Sequence, residues 1–295
     1  MQTIRIPVYT AFGLVFLFLA YVSADMRGKP ITTGGIEQVL IPKGEVWLGS
    51  DDAEKEYAYG IGGAAARKYR WYDKEIKRRL FVDEFYIDKY PVTQESYLEF
   101  VKATGHRVPY ISRGDYQKQG FLVHPYKEVL PYLWKNGTPP AGMMDHPVAL
   151  VSVGDAWDYC DWRGRGSADR LFRLPFEDEW EKAARGTDGR YFPWGNEWNN
   201  ENANIWRSGP HTTTPVDKYN GGRSPYGVYD MAGNVFEWTI TPVKPHSDRY
   251  VLKSCSWDDL PGICRGAARH ARLKSSRHIL IGFRCVSIPA KRDQR

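Results

Sequence analysis

Glycine and proline interrupt this chain so often that no long regular helix or strand fits between them. The 28 glycines and 19 prolines are spread over 295 residues, and both residue types commonly end helices and strands. The chain also carries 11 tryptophans, 19 tyrosines and 12 phenylalanines. Because each buried ring supplies a large apolar area at a low entropic cost, we expect a loop-rich fold with an aromatic core.

The first 24 residues have the three parts of a secretory signal. Arg5 is the only charge before the apolar run 11–20 (AFGLVFLFLA), and the small residues at 22–24 (VSA) precede a cleavage point. A retained membrane anchor is the alternative, although a spanning helix needs about 20 apolar residues. We therefore predict an exported protein, periplasmic or secreted, that contacts a membrane only if this segment is retained.

The rest of the chain shows no repeat, low-complexity tract or interdomain linker, so we predict one domain. Residues 25–38 are polar and are expected to be loose, and residues 289–295 form a basic tail. The net charge is +6, but no nucleic-acid-binding motif accompanies it, so nucleic acid is not an expected partner. The basic stretch 265–284 is better explained by a solvated face or carboxylate partners than by a polyanion site.

Short periodic segments predict several elements. Apolar alternation favours strands within 38–49, with a turn at 42–44, and within 79–89. Thr93 is the expected N-cap of a helix that Gly105 ends.

Two further helices follow along the chain. Ser152 is the expected N-cap of the second helix. A short strand then precedes the third helix, which starts near Pro175 and ends at Gly186. In contrast, residues 54–77 are expected to be irregular, and residues 110–144 form a long aromatic connection without a clear period.

Motifs in residues 39–286 are more specific as an ordered set than singly. They include FYIDKYPVT at 85–93, RLPFEDEWEKAARG at 173–186, YGVYDMAGNVFEWT at 226–239 and GFRCV at 282–286. With them, the chain resembles the formylglycine-generating enzyme and sulfatase-modifying-factor superfamily. The resemblance implies an α+β fold of the C-type-lectin-like kind: a single loop-rich domain over 39–288, with small antiparallel sheets and a few helices.

The four cysteines are Cys160, Cys255, Cys264 and Cys285. An even number in an exported chain suggests two disulfides, for which three pairings are possible. No Cys/His spacing typical of structural zinc is present. The resemblance implies that Cys160 and Cys285 form the long-range structural disulfide of the family.

The loop 230–237 carries two carboxylates, Asp230 and Glu237, on either side of a glycine. Calcium takes six to eight oxygen ligands from carboxylates and backbone carbonyls. The resemblance implies a structural calcium site in which the carbonyl oxygens of Gly233 and Val235 complete the ligand set. The alternative is a carboxylate pair bonded to backbone amides without a metal.

Formylglycine-forming members carry two cysteines five residues apart, whose thiolates bind copper(I) and activate oxygen, a chemistry that suits soft thiolate ligands. Here Cys264 matches the second cysteine, Asp259 stands at the position of the first, and Cys255 precedes Ser256. The chain is therefore not expected to be a standard formylglycine generator. Three interpretations remain: a Cys255–Cys264 disulfide, a copper or redox pair with altered geometry, or a lone Cys264 thiol.

The leading hypothesis is an exported oxidative maturation factor, an oxygen-dependent oxidoreductase acting on a peptide or protein substrate over the loop 256–272. Its candidate catalytic residues are Cys264, Cys255, Ser256, Trp257 and Arg272. Cys264 would be the redox residue, Ser256 and Trp257 would shape the pocket, and Arg272 would orient the substrate. The alternative is a non-catalytic lectin-like binding or assembly module on the same surface, and the geometry of the cysteine pair distinguishes the two.

Overall fold

The computed structural model describes residues 31–33, 35–120 and 123–290. The predicted export signal at 1–24 and the end of the basic tail at 291–295 lie outside the described residues. Within the described part of the chain, no helix combines the length and apolar character needed to cross a membrane.

The described strands are short and lie in three sheets. They are β1 (Ile31–Thr33), β2 (Ile36–Ile41), β3 (Gly44–Leu48), β4 (Arg78–Val82), β5 (Phe85–Asp88), β6 (Arg170–Arg173), β7 (Phe236–Pro242), β8 (Arg249–Lys253), β9 (His270–Leu273), β10 (Ile281–Gly282) and β11 (Val286–Pro289). The five-stranded antiparallel sheet has the order β1-β2-β5-β11-β6, and the four-stranded sheet has the order β10-β7-β8-β9. In the second sheet, β10 runs parallel to β7, while β3 and β4 pair separately.

The helices are also short. They are α1 (Asp52–Ile61), α2 (Gly63–Lys68), α3 (Gln94–Thr104), α4 (Arg113–Lys118), α5 (Tyr126–Val129), α6 (Val153–Gly164) and α7 (Glu177–Arg185). Short 3₁₀ turns occur at 130–132, 200–202, 220–222 and 261–264. The predicted α+β class with little regular structure is confirmed.

The predicted helix caps are confirmed. The Thr93 hydroxyl accepts the Ser96 N–H at 3.1 Å at the start of α3, and Gly105 ends that helix with a left-handed φ of +71°. Ser152 caps α6 in a reciprocal capping box with Asp155. Each arrangement satisfies backbone groups that the ends of a helix leave unpaired.

The prediction that residues 54–77 are irregular is wrong, because α1 and α2 occupy most of this segment. Asp51 starts α1 by accepting the Glu54 N–H at 2.9 Å. Ala58 and Ala66 are fully buried, so tertiary packing stabilises helices whose intrinsic propensity is reduced by glycines at 60, 62 and 63.

Two strand predictions need correction. Residues 79–89 form two strands in different sheets, since β4 pairs with β3 whereas β5 lies between β2 and β11. Residues 31–33 and 36–38, expected to be loose, are paired as β1 and the start of β2. The reversal between them needs the positive φ of Gly35, +78°, which only glycine adopts readily. The long connection 110–144 also contains the short helices α4 and α5.

The Cys160–Cys285 disulfide lies in the aromatic core and is confirmed. It joins α6 to the residue before β11 across 125 positions, with a Cα–Cα distance of 5.7 Å. Tyr159, beside Cys160, stacks on Tyr97 at 5.8 Å and meets Phe283 edge-on at 5.3 Å. The core is therefore built from packed rings around one covalent link, as the composition indicated.

Candidate functional site

Cys255 and Cys264 form a second disulfide. It spans nine positions with a Cα–Cα distance of 4.8 Å, both residues are fully buried, and the described part of the chain contains no free cysteine. The first of the three interpretations is therefore confirmed. Copper(I) prefers soft thiolate or thioether ligands, and the disulfide supplies neither, so these two residues do not fit a copper ion as they stand.

Asp259 holds the turn between the two cysteines. Its Oδ2 accepts the Ser256 hydroxyl at 2.5 Å and the Ser256 N–H at 2.8 Å. Burial raises the pKa of Asp259 to about 6, and the nearby Arg272 opposes this shift. The structure thus brings Ser256, Asp259 and Arg272 together, but around a carboxyl group instead of a thiol.

Trp257 belongs to a polar cluster that sequence analysis missed. Its ring lies 5.1 Å from that of His124, whose two nitrogens are 3.1 Å from Asp258 and 2.8 Å from Glu128. The hydrogen bond to Asp258, together with that to Glu128, raises the pKa of His124 above its usual value. Glu128 is four residues from His124, but no spacing signal could reveal the Asp258 side of this cluster, since His124 and Asp258 are 134 residues apart.

Arg265, the residue after Cys264, fastens the disulfide loop to the core. Its guanidinium donates to Glu75 at 2.9 and 3.0 Å and to Glu54 at 3.0 Å. Its Nε donates to the Gly262 carbonyl at 3.0 Å. Because Arg265 is fully buried, the position of Cys264 is set from both sides, by the disulfide and by these ion pairs.

The basic stretch 265–284 pairs largely with carboxylates, as one of the two favoured interpretations predicted. The partners are Glu54 and Glu75 for Arg265, Glu177 for Arg269, Asp155 for Arg277 and Glu237 for Arg284. Most of the local positive charge is therefore compensated within the fold.

His270 and Arg272 do not lie on a loop, although both fall within the predicted substrate-facing loop 256–272. Both are in β9, where Arg272 pairs with Tyr250 and His270 with Leu252 of β8. Burial lowers the pKa of His270 to about 4, and its ring packs against Phe236 at 4.8 Å. His270 is thus a neutral packing residue at physiological pH.

The loop 230–237 fits a calcium ion poorly. Glu237 is fully buried, and its carboxylate accepts two hydrogen bonds of 2.7 Å from Arg284 and one of 2.8 Å from Trp180. Among the described residues, no group of three or more histidine, cysteine or acidic side chains is arranged to hold a metal ion. The predicted calcium site stays a prediction, and the Glu237–Arg284 pair argues against it.

Asp230, the other carboxylate of this loop, makes its hydrogen bond within the loop. Burial raises its pKa to about 7, and its Oδ2 accepts a hydrogen bond of 2.8 Å from Asn234. The Asn234 carbonyl also accepts the Trp257 N–H at 3.0 Å, while the Gly233 carbonyl accepts the Val235 N–H at 3.0 Å. The loop therefore supports the Trp257 turn through hydrogen bonds that need no metal.

The structure also contains a cleft of about 970 Å³. It is lined by residues of the segment 107–119 and of the start of α6, by Ile240 of β7 and Tyr250 of β8, and by the segment 273–277, which begins at the last residue of β9. Four of its lining residues are cationic, whereas Asp115 is the one acidic residue among them. We refer to it as the basic cleft. None of the five candidate catalytic residues lines the basic cleft, although Arg272 immediately precedes Leu273, which does.

The order of the motifs and the Cys160–Cys285 disulfide agree with one family. The model of the sulfatase-modifying factor enzyme 1-like domain matches residues 24–288. The chain belongs to this family. The C-type-lectin-like, formylglycine-generating-enzyme-like fold predicted from the motifs is therefore confirmed.

The relatives of this chain include proteins named as formylglycine-generating enzymes and proteins named as inactive. The inactive C-alpha-formylglycine-generating enzyme 2 of Mus musculus is 33% identical, over 71% of this chain and 77% of that protein. The formylglycine-generating enzyme of Mus musculus is 32% identical, over 85% and 75%. The structure of PvdO from Pseudomonas aeruginosa covers 90% of this chain and 99% of its own, at 22% identity and a TM-score of 0.70, which shows the shared fold.

Proposed function

We propose that this chain is an exported binding or assembly module of the sulfatase-modifying-factor family. It holds a peptide or protein segment and does not oxidise that segment through copper. The observation that carries this proposal is the buried Cys255–Cys264 disulfide. The oxidative hypothesis requires Cys264 as a redox-active thiol, and this thiol is consumed by the bond.

The residue at the position of the family's first cysteine supports the same conclusion. Asp259 stands where the formylglycine-forming pattern has its first cysteine, and its carboxyl is held by Ser256. A carboxylate is a hard oxygen ligand that suits copper(I) poorly. A related protein of comparable identity is itself named as inactive, which is consistent with family members that have lost this chemistry.

Export is supported by the two disulfides, because such bonds persist in oxidising compartments and are rare in the cytosol. The predicted signal at 1–24 points the same way. The binding surface is supplied by the basic cleft, whose volume is at the upper limit for ligand pockets.

Copper content and oxygen uptake test the proposal. Protein purified from an oxidising compartment is loaded with copper(I), dialysed, and supplied with oxygen and a cysteine-containing peptide. We expect no retained copper and no oxygen uptake above that of Cys255→Ala/Cys264→Ala protein. Stoichiometric copper together with oxygen consumption that this double variant abolishes would overturn the proposal and restore the oxidase hypothesis.

A further inference from the structure

The basic cleft has an uneven charge. Arg107, Lys118, Lys274 and Arg277 line it, against the single carboxylate of Asp115. Asp115 is already engaged, since it accepts hydrogen bonds from Ser112 at 2.7 Å and Lys118 at 3.5 Å. The cleft therefore presents an excess of positive charge to any ligand that enters it.

The four cations are not equivalent. Arg277 is buried and paired with Asp155, so its charge is largely compensated. Arg107 and Lys274 are exposed and, among the residues that the structure describes, form no ion pair. These two side chains can bind an incoming carboxylate without breaking an ion pair of the fold.

The walls between the cations are apolar. Trp157 and Tyr110 line the cleft and keep 41% and 45% of their surface exposed. Ile240 and Leu273 extend this apolar surface. Exposed aromatic side chains beside arginine are typical of the central contacts of protein interfaces, and a small inorganic anion would leave this surface uncovered.

We propose that the basic cleft binds an acidic polypeptide segment that also carries apolar side chains. Acidic groups of the ligand pair with Arg107 and Lys274, and its apolar side chains pack on Trp157 and Tyr110. This inference rests on the proposed function, because it specifies the class of polypeptide that the module holds. Aromatic side chains beside cations also bind single-stranded nucleic acid, and the test includes that ligand.

The test measures fluorescence anisotropy with the full chain and three short labelled peptides of equal length. Leucine alternates with glutamate in the first, with glutamine in the second and with lysine in the third. We expect the glutamate peptide to bind about tenfold or more tightly than the glutamine peptide, and the lysine peptide to bind more weakly still. Affinity for the glutamate peptide should fall as salt is added.

Charge reversal locates the site. Arg107→Glu/Lys274→Glu should remove the preference for the glutamate peptide, whereas Lys43→Glu/Arg207→Glu, which changes the net charge equally at exposed positions outside the cleft lining, should leave it unchanged. Trp157→Ala should weaken binding of the glutamate and glutamine peptides alike, by about tenfold. Thermal unfolding verifies that each variant is folded, and Arg107→Gln/Lys274→Gln replaces the first variant if it is not.

The outcomes separate the two proposals. Equal binding of the glutamate and glutamine peptides, or an undiminished preference in Arg107→Glu/Lys274→Glu protein, overturns the acidic ligand and leaves polypeptide binding intact. Binding of none of the three peptides overturns both. A thymidine oligonucleotide that binds more tightly than the glutamate peptide, and is lost with the same charge reversal, assigns the cleft to nucleic acid instead.

Discussion

Asp259 introduces a carboxyl group where the formylglycine-forming pattern has a cysteine. The carboxyl accepts two hydrogen bonds from Ser256, yet burial still raises its pKa to about 6 from an ordinary 3.8. An acid whose pKa is raised by folding stabilises the folded state below its unfolded pKa and loses that contribution as the pH rises through the folded pKa. Asp259 therefore costs stability at neutral pH.

Asp259→Asn should remove this cost, because the amide oxygen can accept both Ser256 hydrogen bonds without a buried charge. We expect the variant to be more stable than the original chain by roughly 1–2 kcal/mol at pH 7, after allowance for partial solvent screening, and equally stable near pH 4. Urea unfolding across this pH range measures the difference. Asp217→Asn, an exposed control, should leave the free energy of unfolding unchanged at every pH. A stability difference between Asp259→Asn and the original chain that does not change with pH would refute the argument.

Single residues also show how far the sequence could lead. Thr93, Ser152 and Gly105 could be identified because each acts on a helix end a few residues away. The contact between His124 and Asp258 could not be identified, since these two residues are 134 positions apart. Local chemistry is visible in a sequence, whereas the pairing of distant polar groups depends on a fold that the residues do not reveal singly.

Helix α1 illustrates the same limit at the scale of elements. Its sequence indicated an irregular segment, and the structure stabilises it from outside through Glu54, which accepts from Arg185 at 2.8 Å and from Arg265 at 3.0 Å. These side chains belong to a buried cluster with balanced charge. Its carboxylates are Glu54, Glu75 and Glu181, and its cations are Arg185, Lys253 and Arg265.

Arg265→Met should break this cluster on one side. Removing one partner leaves buried carboxylates without compensation, and such a change costs about 3–5 kcal/mol. We expect a large decrease in the free energy of unfolding, measured with urea, while Arg207→Met at an exposed position changes it by less than about 0.5 kcal/mol. A decrease of less than about 1 kcal/mol in the free energy of unfolding for Arg265→Met would show that the cluster contributes little to the stability of the protein.

The whole molecule is held by two covalent links of very different reach. The family resemblance anticipated the fold and the Cys160–Cys285 link, but neither composition nor periodicity gave the order of strands in the sheets. That order places β5 between β2 and β11, and β11 between β5 and β6. Such pairings join distant parts of the chain and leave no local signal.

The stability that is lost when a disulfide is removed should increase with the length of chain that the disulfide closes. The chain-entropy model gives about 5 kcal/mol for the 125-residue separation of Cys160–Cys285 and about 3 kcal/mol for the 9-residue separation of Cys255–Cys264. Cys160→Ala/Cys285→Ala should therefore lower the melting temperature more than Cys255→Ala/Cys264→Ala. Both pairs are fully buried, so lost packing affects both variants, and the reverse order would contradict the model.

The position of β11 bears on how the molecule is made. This strand lies between β5 and β6 in the five-stranded sheet, yet it follows every other described strand in the chain. During synthesis, β5 and β6 therefore wait with unpaired edges until the last described segment has left the ribosome, and unpaired edges invite association with other chains. A protein of this design completes its five-stranded sheet only after every other described strand has been synthesised.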